Sequence, residues 1–541
     1  MNSPNFPCVN SIRDAYCELE EEKVAKKLIV VGAGVGGLAA AAFMARRGWD
    51  VKVLEKNGSV GGRARVWSEK GFHFDMGPSW YLMPEVFERF FARFGRERQE
   101  FYTLRELSPY YRVFFGPRES VDITPDRERT FRLFESFEPG GAERLRRYLE
   151  RARHKYEVAM QEFLYRDYSS PLQFLNARML LEGSRLNVFG RLDRSVSRHF
   201  HDRRARQILE YHMVFLGTSP RQAPALYSIM SHVDLNLGVR YPLGGLAAVA
   251  GSIGRLAQEQ GVEVRLDHEV RKILVQRGRA SGVLTDQGEL KADAVLVNAD
   301  YAFAEQRLLD PAWQSLPAPY WERRVLAPSM FILYLGLDRT LPGLAHHNLY
   351  FAPQWERHFD AIFQRPSWPE QPCFYLSCIS KTDSGMAPPG HENVFVLVPV
   401  AAGMADDEGQ RERYADETIR HIERITGESI RPSVVVRRIF SQRDFAQEYN
   451  AYRGTALGLA HTLRQTAVFR PQFRSRRVSN LFYAGQYTHP GIGVPMVLIA
   501  AEVVAGLMAG ASEGEGRARL RRTAAAGAGR AAGGAPGGGL A

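Results

Sequence analysis

Cysteine is nearly missing from this chain: four in 541 residues, at Cys8, Cys17, Cys373 and Cys378. Two lie near the N-terminus and two inside one strand-like stretch, Cys373–Phe374–Tyr375–Leu376–Ser377–Cys378. Neither pair has histidines at metal-ligand spacing. A disulfide framework and a metal site are therefore excluded, and reduced thiols in a cytoplasmic setting are expected. An HExxH helix, a Walker phosphate loop and a Ser–His–Asp set are missing too, which removes three large hydrolase classes. Acidic residues are in deficit, 60 Asp and Glu against 71 Lys and Arg, for a net charge of +11. No nucleic-acid motif accompanies that surplus. It reads as a solvated arginine-rich surface, and the partner it would suit is anionic lipid rather than nucleic acid. Long apolar runs are scarce. Leu28–Ala45 carries no charge and has the length of a membrane segment, but four glycines interrupt it.

Those glycines are the strongest signal present. Lys27–Val31 reads as a strand, Gly32–Ala33–Gly34–Val35–Gly36–Gly37 as a tight turn opening a helix, and Glu55 closes the next apolar run. Gly32 permits the turn, Gly34 lets backbone N–H groups approach a diphosphate, and Gly37 lets the helix pack on the sheet. The helix N-terminus carries about half a positive charge and favours an anion. Glu55 stands where a ribose-binding acid belongs. Immediately after it run Lys56–Asn57–Gly58–Ser59–Val60–Gly61–Gly62–Arg63. A second glycine pair with an arginine suits a dinucleotide gripped at both ends and kept bound. FAD is expected, not an exchangeable nicotinamide cofactor.

Composition, 45% hydrophobic and 24% charged, is that of a globular protein with room for two or more domains. Phe87, Phe90, Phe91 and Phe94 fall on one face of a helix begun by Pro84, either as core or as a wall of an apolar tunnel. Residues 137–231 are mostly amphipathic helix, with Ala142–Lys155 and Arg203–Leu216 the clearest stretches. Val262–Val264, Val270–Val275 and a hairpin through Asp286–Gln287–Gly288 read as strands, as does Asp293–Ala299. Met330–Leu337, Val394–Val400 and Val434–Phe440 suggest a second sheet, with a helix over Arg411–Ile425. Near the end, the stretch from Asn480 to Met496 reads as a strand, a glycine-rich turn through Gly485–Gln486 and His489–Pro490–Gly491–Ile492–Gly493, then a helix running to about Met508. That helix start would favour negative charge on a reduced flavin. Residues 512–541 are Gly, Ala and Arg with almost nothing to bury, and are expected to be disordered.

The Gly61–Gly62–Arg63 signature resembles the FAD-dependent amine oxidase and phytoene desaturase superfamily. The segment from Asn480 to Met496, with Tyr241–Pro242–Leu243–Gly244–Gly245, looks like the bacterial-type phytoene desaturase family of carotenoid enzymes. The likeness runs from Lys27 to about Gly510. It implies an α/β fold: a Rossmann-like FAD-binding domain, a second mixed-sheet substrate domain and a helical insertion. The implied division places FAD binding in 26–115, 236–300 and 471–511. A membrane-facing helical region would occupy 116–235, and the substrate domain 301–470. Cofactor contacts would come from Gly32, Gly34, Gly37, Glu55, Lys56, Gly62, Arg63, Val270 (through its backbone), Gly485, Gln486, Gly493, Val494, Pro495 and Met496. Gln486 stands where many relatives carry an acid. The implied reaction is dehydrogenation of a long polyene such as phytoene by hydride transfer to flavin N5. Asp75 and His489 are the candidates for the proton-handling role. Oxygen or a membrane quinone would reoxidise the flavin, and a peripheral membrane location on the cytoplasmic side follows from a lipid-borne substrate. Another carotenoid oxidoreductase or isomerase, an amine oxidase, and a non-catalytic isoprenoid-binding escort are the alternatives. Oligomeric state is left open.

Overall fold

A computed structural model describes residues 25–117, 119–168 and 190–511. Cys8, Cys17 and the 512–541 tail lie outside the described residues. The first sheet has five parallel strands in the order Leu481–Tyr483, Ala294–Val297, Lys27–Val31, Asp50–Leu54 and Glu263–Arg265. Leu28, Val30, Val295 and Leu296 are almost fully buried. A parallel sheet is covered on both faces, which is why Lys27–Val31 and Ala294–Val297 read as apolar runs. The helix Val35–Ala45 is rich in alanine, and only its last residue escapes burial. It packs close to the helix Gly245–Glu259. Val494–Ala511 is, among the described residues, the one helix long and apolar enough to cross a membrane. Its Leu498, Ile499, Ala501, Val504 and Ala505 are packed in the same core.

The second sheet has seven strands, in the order Val434–Phe440, Ser329–Leu337, Glu392–Val400, Phe374–Ser377, His347–Tyr350, Tyr111–Gly116 and Glu119–Ile123. Pairing is antiparallel except between Tyr111–Gly116 and His347–Tyr350, which run parallel. Ser329–Leu337 is buried throughout, and its side chains divide by the period of two. Phe331, Leu333, Leu335 and Leu337 join the core that holds Ile419 and Ile422 of the helix Glu408–Thr426. Met330, Ile332 and Tyr334 face the aromatic core on the other side.

The expected helical stretch is present as Arg127–Phe137, Gly141–Val158, Leu192–Ser197, Arg203–Glu210, His212–Phe215 and Ile229–Leu235. Where one helix was expected over Arg203–Leu216, two occur, divided at Tyr211. Phe87, Phe90 and Phe91 of the helix Pro84–Ala92 are core: Phe90 meets Phe43 at 5.6 Å between ring centroids. None of these phenylalanines walls the cavity described next.

Candidate active site

A cavity of about 930 Å³ runs from the carboxyl ends of the parallel sheet to the inner face of the seven-stranded sheet. The crevice at those carboxyl ends is where doubly wound sheets bind ligands. Gly32 turns there with φ of +99°. A Cβ on Gly37 would lie 2.3 Å from the Gly32 carbonyl oxygen, and one on Gly34 would lie 2.7 Å from Asn298 Nδ2. The turn leaves Gly34, Val35 and Gly36 on the wall, at a helix N-terminus. The Gly61 N–H donates to the Ala33 carbonyl at 2.9 Å, and a Cβ on Gly62 would come 3.3 Å from Gly34 Cα. The two glycine motifs thus form one surface.

At one end of this surface stands Glu55. Its Oε2 accepts from the Ala33 N–H at 2.9 Å, and its Oε1 accepts from the Asn57 backbone at 3.0 Å and side-chain amide at 2.7 Å. Lys56 Nζ donates to the Gln447 carbonyl at 2.6 Å and to Asn450 Oδ1 at 3.1 Å. Val270 lines the same end. In the middle, Arg63 is on the wall with Nε and Nη2 buried and without a partner. A buried cation with unused donors is costly unless an anion meets it. At the far end, Gly485 (φ +114°) leads to Gln486, whose Nε2 is also buried without a partner. Gly493, Val494, Pro495 and Met496 bring the N-terminus of the helix Val494–Ala511 to the wall.

These residues fit FAD. The acid and Val270 could take an adenosine end, and the glycine amides with Arg63 offer donors for a diphosphate. Gln486 offers a free amide donor for a ribityl hydroxyl. The second helix N-terminus, also on the wall, could favour negative charge on a ring bound at that end.

The two proton-handling candidates fare differently. Asp75 does not line the cavity. Its Oδ2 accepts from the Leu246 N–H at 2.9 Å and its Oδ1 from the Ala247 N–H at 3.2 Å, at the start of the helix Gly245–Glu259. Burial pushes its carboxyl up to about 7 against those two bonds. His489 does stand on the wall. Its Nε2–H donates to the Phe163 carbonyl at 3.1 Å, Nδ1 has no partner, and burial pulls the imidazole down to about 4.

Other groups at the site gave no sequence signal strong enough to be chosen. Arg470 is buried and donates to the carbonyls of Gln486 at 2.5 Å, Tyr487 at 3.1 Å and Thr488 at 3.2 Å. Burial lowers it to about 10, so it stays a cation at neutral pH behind the ring-side turn. His461 Nδ1 meets the Tyr227 hydroxyl at 2.9 Å. His212, beside the fully buried Asp234, forms part of the cavity wall. Only their common location reveals them, because they come from separate helices and turns.

A parallel dinucleotide-binding sheet, opening without interruption into an apolar chamber under a second sheet, defines a flavin-binding oxidoreductase. Residues 35–509 match the flavin containing amine oxidoreductase family, and the chain belongs to it. It is 45% identical over 475 residues to a carotenoid 3,4-desaturase of Haloarcula japonica, covering 87% of this chain and 96% of that one. It is 36% identical over 505 residues to a zeta-carotene-forming phytoene desaturase of Myxococcus xanthus, covering 93% and 97%. A solved oxidoreductase of Methanosarcina mazei shares the fold, with a TM-score of 0.58 at 16% identity over 88% of this chain and 99% of that one. A putrescine oxidase shares it at 0.57 and 15%, over 90% and 99%. The chain is an FAD-dependent oxidoreductase.

Proposed function

We propose that this enzyme desaturates a long carotenoid chain. The observation that carries the proposal is the distribution of charge around the cavity. Among the described residues, the carboxylates on its wall are Glu55, Glu269, Asp300 and Glu448, and the Lys and Arg side chains are Lys56 and Arg63. All belong to the cofactor half or its margin. The substrate half is walled by Phe215, Leu216, Met330, Ile332, Tyr375 and Leu397. A protonated amine has no carboxylate to meet there, whereas a polyene is held by burial alone, at about 25 cal/mol per Å² of apolar surface.

When bound, FAD supplies the two-electron oxidant. Glu55, Lys56, Val270, the glycines, Arg63 and Gln486 hold it, and the helix start at Val494–Pro495–Met496 with the Arg470 cation favours extra negative charge at the ring. The apolar wall aligns the chain and keeps water from the reacting carbons. Phytoene or a similar hydrocarbon is the substrate of this reading. A second reading, 3,4-desaturation of an already conjugated carotenoid, is favoured by the 45% identity to an enzyme of that name. Leu463 and Phe469 line the cavity yet are 36% and 60% exposed. They mark its mouth, where a peripheral membrane contact on the cytoplasmic side would deliver substrate. Oxygen or a membrane quinone takes the electrons away.

Anaerobic mixing of the flavin-loaded enzyme with liposomes tests this. Liposomes carrying phytoene or a partly conjugated carotene are expected to bleach the flavin, and putrescine or other amines are expected to leave it oxidised. Bleaching by amines alone would overturn the reading.

A further inference from the structure

Taking two hydrogens from adjacent carbons sends one away as a hydride and the other as a proton, and the proton needs an acceptor inside an apolar chamber. Among the described residues, three histidines stand on its wall: His212, His461 and His489. Two of them are badly placed to become cations. His461 and His489 are buried near the Arg470 guanidinium; burial lowers both imidazoles, with the Arg470 charge next for His461, while for His489 burial and that charge act against its bond to the Phe163 carbonyl. His212 has the opposite neighbour. Its Nε2 lies 3.3 Å from Oδ2 of Asp234, which is fully buried in the helix Ile229–Leu235. That Oδ2 accepts from the hydroxyls of Tyr111 at 2.7 Å and Tyr211 at 3.2 Å, while Oδ1 has no partner. Among the described residues no Lys or Arg pairs with this carboxylate. Two hydroxyls satisfy Asp234 in part while His212 is neutral, and it gains a charged partner when His212 is protonated. Both His212 ring nitrogens are buried without a hydrogen bond; Nε2 is the one beside Asp234, which leaves Nδ1 as the nitrogen to take a proton. His212 shares the cavity wall with Phe215, Leu216 and, from the turn that leads to Val494, Ile492. Gly217, just past His212–Phe215, lies so near the ring-side turn that a Cβ there would come 3.2 Å from Ile492 Cδ1.

We propose that His212 is the proton acceptor of the desaturation, with Asp234 as its positioning residue. The inference rests on the carotenoid reading above. As the electron pair of one C–H bond leaves as hydride to the flavin oxidant, the pair of the adjacent C–H bond becomes the new π bond. Its proton passes to His212 Nδ1, and Asp234 stabilises the imidazolium that results.

The test compares His212→Gln and Asp234→Asn in three measurements on flavin-loaded protein: the visible flavin spectrum, carotene binding, and single-turnover anaerobic bleaching. For H212Q the flavin spectrum and carotene affinity are expected to persist while bleaching slows by about 10²-fold or more, the low end of what a positioned base contributes. In H212Q, deuterium at the carbon that loses the proton should show a primary isotope effect that is small or absent in the wild type. Should H212Q not retain flavin, D234N decides: slower bleaching with the same new isotope effect supports the assignment, and unchanged bleaching overturns it. Wild-type bleaching rates in H212Q, or a loss that only tracks weaker carotene binding, would also overturn it. If carotenes fail to bleach the wild type, the substrate reading falls and takes this inference with it. If only H212Q behaves as wild type, the substrate reading stands and the inference alone fails.

Discussion

At the scale of single residues, the site is organised by donors and charges that lack partners inside the protein. Arg63 illustrates this. Its Nε and Nη2 are buried beside the paired glycine motifs without a hydrogen bond, and its guanidinium lies 5.2 Å from the Tyr449 ring centroid. A diphosphate would turn those unused donors into charge-assisted bonds, each worth about 1.5–3 kcal/mol. Arg63→Ala is therefore expected to weaken FAD binding by about ten- to a hundredfold, read by titrating apoprotein with FAD. Undiminished affinity would place the diphosphate elsewhere. Arg63 was legible because it follows Gly61–Gly62 at fixed spacing. His212 and Asp234 were not, since a histidine and an aspartate on separate amphipathic helices look like any other polar residues until the helices pack together.

At the scale of elements, Asp75 marks where reading the sequence stopped short. A carboxylate near a glycine-rich flavin motif invites a chemical role. The structure instead gives it both backbone N–H groups at the start of the helix Gly245–Glu259. A Cβ on Gly245 would come 2.5 Å from Asp75 Oδ1, so the glycine is what lets the carboxylate in. Asp75→Ala is expected to cost about 1–2 kcal/mol of stability, the range of a lost helix cap, seen as a lower unfolding midpoint. The bleaching rate per bound flavin should persist. A loss of 10²-fold or more in that rate would return Asp75 to the chemistry. Strands and helices with a clear period were legible, Val434–Phe440 to the residue and Glu408–Thr426 as the expected Arg411–Ile425 lengthened by three residues at its start and one at its end. The break at Tyr211 was not. Periodicity runs through it, and only tertiary packing places Tyr211 against Asp234 and Trp80.

At the scale of the whole molecule, two sheets share one cavity. The parallel sheet draws strands from the beginning, middle and end of the chain, and an apolar run with a glycine turn announces Lys27–Val31 and Leu481–Tyr483. The parallel pairing of Tyr111–Gly116 with His347–Tyr350 has no such local signature, because contacts of that sequence separation are settled by packing alone. That second sheet supplies Met330, Ile332 and Leu397 to the chamber wall and makes the flavin's neighbour apolar. Function follows from this union: an oxidant at one end of a space that only a greasy chain can fill. The most direct test is pigment analysis of cells that make phytoene and express this chain. The account predicts coloured, more conjugated carotenes, or further conjugation where a partly desaturated carotene is supplied. Phytoene and supplied carotene both recovered unchanged, with folded flavin-loaded protein present, would contradict it.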